Sequence, residues 1–150
     1  KKENKRKKKE KKNMVSKQEQ ENKLILIPKI EKYIEYMLDV MIKLPRTEKF
    51  SIGTEYKQCM YKMLNKIMLL NKIKNLNKQD ENRYKIEIIK ILNEIDAELN
   101  TQRIYLRIMK KYRWIDEKKF KVSMELIYEV GKILGGLIKY YAKNNKKQIL

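Results

Sequence analysis

Histidine is absent from the 150 residues, and cysteine occurs once, as Cys59. The first absence removes Ser–His and Cys–His nucleophilic catalysis, histidine metal ligation and imidazole acid–base chemistry together. The second leaves no intramolecular disulfide, and a reducing cytoplasm is the expected compartment. Cys59 itself falls in an apolar helical stripe, where a thiol packs as a small hydrophobe. Glycine and proline are scarce, at 4 and 2 residues, which favours long helices with few interruptions. A helix that lies on a membrane surface exposes Trp or Phe, and with 1 Trp and 2 Phe no membrane partner is expected. No apolar run reaches the ~18 residues of a transmembrane helix. The basic start has no hydrophobic segment behind it and does not read as a signal peptide. Acidic residues are few and scattered at surface-like positions, with no Asp/Glu pair inside an apolar stripe. Neither an enzyme, nor a metal, nor a cofactor is therefore expected.

What the chain has in excess is positive charge. The 38 basic side chains outnumber the 19 acidic ones, for a formal net charge of +19. Such a surplus repels itself and is usually neutralised by a polyanion, so RNA or DNA is the expected partner. A nucleotide bias toward Lys, Asn and Ile codons would account for part of it, since all three residues abound. Lys1–Lys12 carries nine basic and two acidic side chains and nothing apolar. A block of that kind buries nothing to offset its ordering entropy, so residues 1–22 are expected to be a disordered tail. It reads either as a nucleic-acid-contacting arm or as an upstream extension, Met14 being a natural-looking start.

Beyond residue 22 the apolar residues recur every three or four positions, the period of a helix with one buried face. Ile27, Ile30, Ile34, Met37, Leu38, Met41 and Leu44 form the first stripe, with Pro28 expected in the first turn, where its missing amide costs little. Tyr56, Cys59, Met60, Met63, Leu64, Ile67, Leu70 and Ile73 form the second. The Lys- and Asn-rich segment 71–82 is a connection, with Asp80 as a candidate N-cap. Ile88, Leu92, Ile95, Leu99, Leu106 and Met109 form the third stripe, interrupted at Gln102 and Arg103. Trp114 and Ile115 mark a corner and Asp116 an N-cap. Phe120, Met124, Ile127, Val130, Leu134, Leu137, Ile138 and Tyr141 form the fourth, which fades after Ala142. Four such helices joined by short connections predict an all-α, up-down-up-down bundle over residues 23–145, followed by a tail at 146–150.

Three segments stand out. The corner Leu44–Gly53 holds Pro45, which ends the incoming helix, and Thr47 and Ser51, either of which suits an N-cap for the outgoing one. Phe50 and Ile52 are expected to pin this corner to the core. Gly131, Gly135 and Gly136 sit inside a strongly periodic helix at about 1 kcal/mol each relative to Ala. They read either as a close approach of another helix or, at Gly135–Gly136, as a kink. Arg103 and Arg107 are one turn apart and share a helix face. Lys110, Lys111 and Arg113 extend that basic surface, which is either a partner site or an ordinary solvated face. Arg103 falls where an apolar residue was due, so it needs an anion, a carbonyl or a wet subunit interface. The Tyr–Lys pairs Tyr56–Lys57, Tyr61–Lys62 and Tyr84–Lys85 suit base stacking or core packing.

Residues Pro45–Gly53, Arg103–Arg107 and Glu129–Lys139 resemble motifs of a group of small four-helix-bundle proteins. The group contains the accessory variability determinant (Avd) of diversity-generating retroelements and the proteins encoded in intervening sequences of bacterial 23S ribosomal RNA genes. The latter carry a Ser-x-x-x-Asn-Ile-Ala-Glu-Gly-like segment in their second helix. Here Met60–Met68 lacks the Ala-Glu-Gly, so the chain looks more like Avd. That resemblance implies a homopentameric barrel that binds a reverse transcriptase and its template RNA in support of mutagenic retrohoming. It implies a nucleic-acid or reverse-transcriptase surface at Arg46, Lys49, Arg107, Lys110, Lys111 and Arg113. It implies structural or assembly roles for Pro45, Phe50, Gly53, Arg103, Gly131, Gly135 and Gly136. The alternative is a general basic RNA-binding bundle of the ribosomal intervening-sequence type.

Overall fold

Each apolar stripe finds its partners in the computed structural model, which describes the backbone of residues 1–76 and 81–149 and the side chains of 1–12, 25–73 and 83–143. The helices are α1 (Lys2–Ile42), α2 (Arg46–Lys49), α3 (Ile52–Leu76), α4 (Glu81–Lys111) and α5 (Glu117–Ile149). Four of them are long and run up, down, up and down; α2 is a single turn inside the first corner. No strand occurs among the described residues. α4 packs along both α3 and α5, and α1 closes the bundle chiefly through α5. The core holds Ile30, Met37, Met60, Ile67, Leu92, Leu99, Leu106, Val130 and Leu134, among others. Each such side chain stabilises the fold by about 2 kcal/mol relative to leaving it in water.

The first helix differs from expectation at its start. It runs unbroken from Lys2, whereas residues 1–22 were expected to be disordered and Pro28 to lie in a first turn. Lys, Arg and Glu are good helix formers, so the run can extend the bundle helix without any apolar face of its own. Residues 1–12 are all exposed and add nothing to the core. Pro28 is thus interior to α1, at an exposed position close to Leu26, the first buried residue among the described side chains. The buried stripe of α1 also takes in Tyr33 and Val40, while Ile27 and Leu38 are only half-buried. Asp80 lies outside the described residues, and α5 continues past Ala142 to Ile149.

The corners show why the chain turns where it does. Pro45 precedes α2 without a side-chain cap, and its carbonyl accepts from the amides of Glu48 and Lys49 at 2.9 and 3.0 Å. Neither Thr47 nor Ser51 caps through its hydroxyl. Thr47 lies within α2, and Ser51 Oγ donates to Glu48 Oε2 at 3.2 Å. Phe50 does not pin the corner, being 77% exposed. Leu44 does so, with half-buried Ile52 and with Gly53, whose added Cβ would stand 3.2 Å from the Glu48 carbonyl and 3.3 Å from Leu44 Cδ1. At the other corner Arg113 N–H donates to Lys110 O at 3.0 Å and Trp114 N–H to Met109 O at 2.9 Å. These two bonds form a Schellman stop for α4, with Arg113 in the left-handed region at φ 59. Asp116 then caps α5 as expected, its Oδ1 accepting from Lys119 N–H at 2.7 Å.

Candidate nucleic-acid interface

In an up-down-up-down bundle the first and third connections share one end. The α1–α3 corner and the α4–α5 corner therefore lie together, although some sixty positions separate them. The carboxylate of Asp116 is close enough to Tyr36 of α1 to raise its pKa further, after burial has raised it already. Segments 43–51 and 107–121 carry ten basic and three acidic side chains. The three carboxylates are engaged locally. Glu48 accepts from Ser51, Asp116 caps α5, and Glu117 pairs with Lys110 at 3.2 Å. Most of the cationic charge at this end is left facing solvent.

Of the residues expected to bind nucleic acid or reverse transcriptase, Arg46, Lys111 and Arg113 are exposed at this end, and Arg107 is exposed one turn down α4. Lys49 is half-buried in α2. Lys110 is half-buried too, its Nζ 4.5 Å from the centroid of the Phe120 ring. The structure brings Arg46 and Lys49 to the same end as Lys110, Lys111 and Arg113. Sequence reasoning missed the aromatic component: Tyr112 and Trp114 are stacked, with centroids 5.1 Å apart and planes at 18°.

The assembly residues fall into two sets. At Gly131 a Cβ would stand 2.7 Å from Arg103 Nη2 and 3.4 Å from Leu99 Cδ2, so it would displace the flexible end of the arginine. Nothing lies within 4 Å of a Cβ built at Gly135 or Gly136, so the close approach expected there has no partner among the described residues of the chain. Arg103 does not occupy the core position assigned to it. It is half-buried and donates through Nη1 to Asn100 Oδ1. Gln102 is the residue with no exposed surface, because Leu99, Gln102 and Leu106 form the inward face by steps of three and four.

Around Gln102 lies a buried polar chain that the periodicity did not reveal. Tyr33 donates to Gln102 Oε1 at 2.5 Å, which leaves Tyr56 as the donor to Tyr33. Gln102 Nε2 donates onward to Glu98 O at 3.2 Å, with Met63 Sδ at 3.6 Å. The chain ties α1, α3 and α4 at one level. Burial pushes both phenols above their ordinary range, and burial likewise pushes the Cys59 thiol up. Its hydrogen bond with Glu98 Oε1, at 2.6 Å, raises Lys66. All four groups are thus held more firmly in their protonated forms, and none has its pKa moved toward pH 7. Among the described residues no three His, Cys, Asp or Glu side chains gather to hold a metal, and no helix is long and apolar enough to cross a membrane.

A family model described as bAvd-like matches residues 24–141. The match falls on the first of the two groups that the three motifs resemble. No curated protein matches the chain.

Proposed function

The chain belongs to the bAvd-like family, and from that we propose that it is a non-catalytic accessory protein of a diversity-generating retroelement. In this role it binds the retroelement's reverse transcriptase and template RNA through its basic surface, as a cytoplasmic homopentamer, and supports mutagenic cDNA synthesis and retrohoming. The observation that carries the binding half of this reading is the concentration of basic side chains from two distant corners at one end of the bundle. Few polar groups there are arranged to read base edges, whereas Lys and Arg suit phosphates. Affinity is therefore expected for RNA and DNA alike, falling steeply with salt as counterions are no longer released at a gain.

Gel filtration with light scattering, run with and without RNA, tests both halves. The expected result is an oligomer well above the 18.3 kDa chain that takes up RNA at low salt and releases it at high salt. A clean monomer at micromolar concentration would remove the assembly. Binding that ignores salt, or that depends strongly on sequence, would remove the electrostatic reading. Co-purification with the retroelement's reverse transcriptase tests the remaining partner.

A further inference from the structure

We propose that Tyr112 and Trp114 form a stacking platform for an unpaired base, so that the basic end of the bundle takes single-stranded nucleic acid in preference to duplex. This rests on the nucleic-acid reading above and adds to it a place and a strandedness.

The platform is built rather than incidental. Trp114 is half-buried beside the buried Ile115, so the lower ring is anchored in the core. Tyr112 lies on it at 18° and the residue remains 62% exposed. The residue between them, Arg113, is in the left-handed region, where a side chain costs about 1 kcal/mol and glycine is the usual occupant. That turn sets residues 112 and 114 ring against ring, and the residue between the two rings in sequence is an exposed arginine. Arg107, Lys111 and Arg113 stand exposed around it, while Lys110 is held by Glu117 and the Phe120 ring.

Pre-stacked aromatics among cations match one chemistry closely: a phosphate backbone whose bases offer a free π-face. A duplex hides those faces in its own stack, and only unpaired bases present them. An acidic, aromatic protein segment also fits the charge, but the observations favour the strand, since several exposed cations lie close in the chain to a single stacking surface.

Trp114 is the sole tryptophan and reports on its own site. The full chain is titrated with an oligouridine, an oligothymidine and a fully paired RNA duplex of equal length at fixed salt. Tryptophan emission and oligonucleotide anisotropy are followed together. Both single strands are expected to quench Trp114 on binding, and the duplex to bind without comparable quenching. Tyr112→Ala should weaken single-strand binding roughly tenfold, the scale of one base–aromatic stack, and leave duplex binding unchanged. Tyr112→Phe should bind like the parent, and unchanged duplex binding by Tyr112→Ala also reports an intact fold. The platform is overturned if Tyr112→Ala weakens strand and duplex equally, or neither, or if the duplex quenches as strongly as the strands. In those cases the wider nucleic-acid reading survives; it falls only if none of the three probes binds.

Discussion

The buried chain from Tyr56 through Tyr33 to Gln102 makes a graded prediction, because its members hold different positions in a line of protons. Tyr56 is the terminal donor, Tyr33 both accepts and donates, and Gln102 Oε1 is the terminal acceptor. Tyr56→Phe removes one hydrogen bond yet leaves every remaining proton with an acceptor, so the loss should be about 1 kcal/mol or less. Gln102→Leu leaves one buried hydroxyl proton unmatched at about 1–3 kcal/mol, part of which the leucine recovers by apolar burial. Tyr33→Phe removes the middle. The Tyr56 hydroxyl loses its acceptor and the Gln102 carbonyl its donor, which together cost about 2–6 kcal/mol. The triple variant Tyr33→Phe, Tyr56→Phe, Gln102→Leu has no unmatched group at these positions. It should be more stable than Tyr33→Phe alone, since replacing both partners of a buried hydrogen bond is far cheaper than removing one.

Urea unfolding at one fixed protein concentration measures this order, the concentration being fixed because assembly shifts apparent stability. With a urea m-value of about 2 kcal/mol/M, a loss of about 2 kcal/mol lowers the midpoint by about 1 M, well above experimental scatter. The reasoning is refuted if Tyr56→Phe is as damaging as Tyr33→Phe, or if the triple variant is the least stable of the set. Either outcome would mean that the rings' packing, not the proton line, sets the cost.

The same phenols predict an alkaline limit. Their folded-state pKa values lie above the unfolded value of about 10, so their contribution is whole below that pH and is lost as pH rises from there through the folded values. Melting temperature should therefore drop above about pH 10, and less steeply in Tyr33→Phe, Tyr56→Phe. Arg113→Gly relieves the left-handed backbone and should raise Tm by roughly 3 °C while weakening RNA binding. An unchanged or lower Tm would show that the arginine side chain repays the strain in place. Gly135→Leu meets open space within its own chain and should leave helix content by circular dichroism intact. In the assembled protein it should lower the mass seen by light scattering, and an unaltered oligomer would exclude that face from the contact.

Much of the fold was legible because a helix writes its buried face into the sequence at a fixed period. Thus Ile88, Leu92, Ile95, Leu99, Leu106 and Met109 could be placed inward from spacing alone. What the period does not resolve is a choice between adjacent positions. Gln102 and Arg103 both interrupt the stripe, and either completes it by a step of three or four from Leu99. The deciding partner is the hydroxyl of Tyr33, 69 positions away. Phe50 misled for a different reason: the apolar seat at the corner is already filled by Leu44 and Ile52, with Gly53 close beneath, so a third side chain has nowhere to go. The lysine-rich start was read as unstructured because its helix has no apolar face to betray it.

The basic side chains were legible one by one in the sequence, but not their common place. Lys111 and Arg113 could be named from local pattern and Arg46 and Lys49 from the family resemblance, whereas their gathering at one end follows only from the parity of the connections. A chain that alternates direction returns to the same end at every second turn. Connections one and three must then meet, and the end of α3 at Leu76 and the start of α4 at Glu81 must lie at the other end. The aromatic platform needed one step more, since no pattern of residue types distinguishes an arginine at φ 59 from one in a helix. That single backbone angle turns Tyr112 and Trp114 from neighbours in sequence into rings stacked face to face, at the end of the bundle where the positive charge already converges.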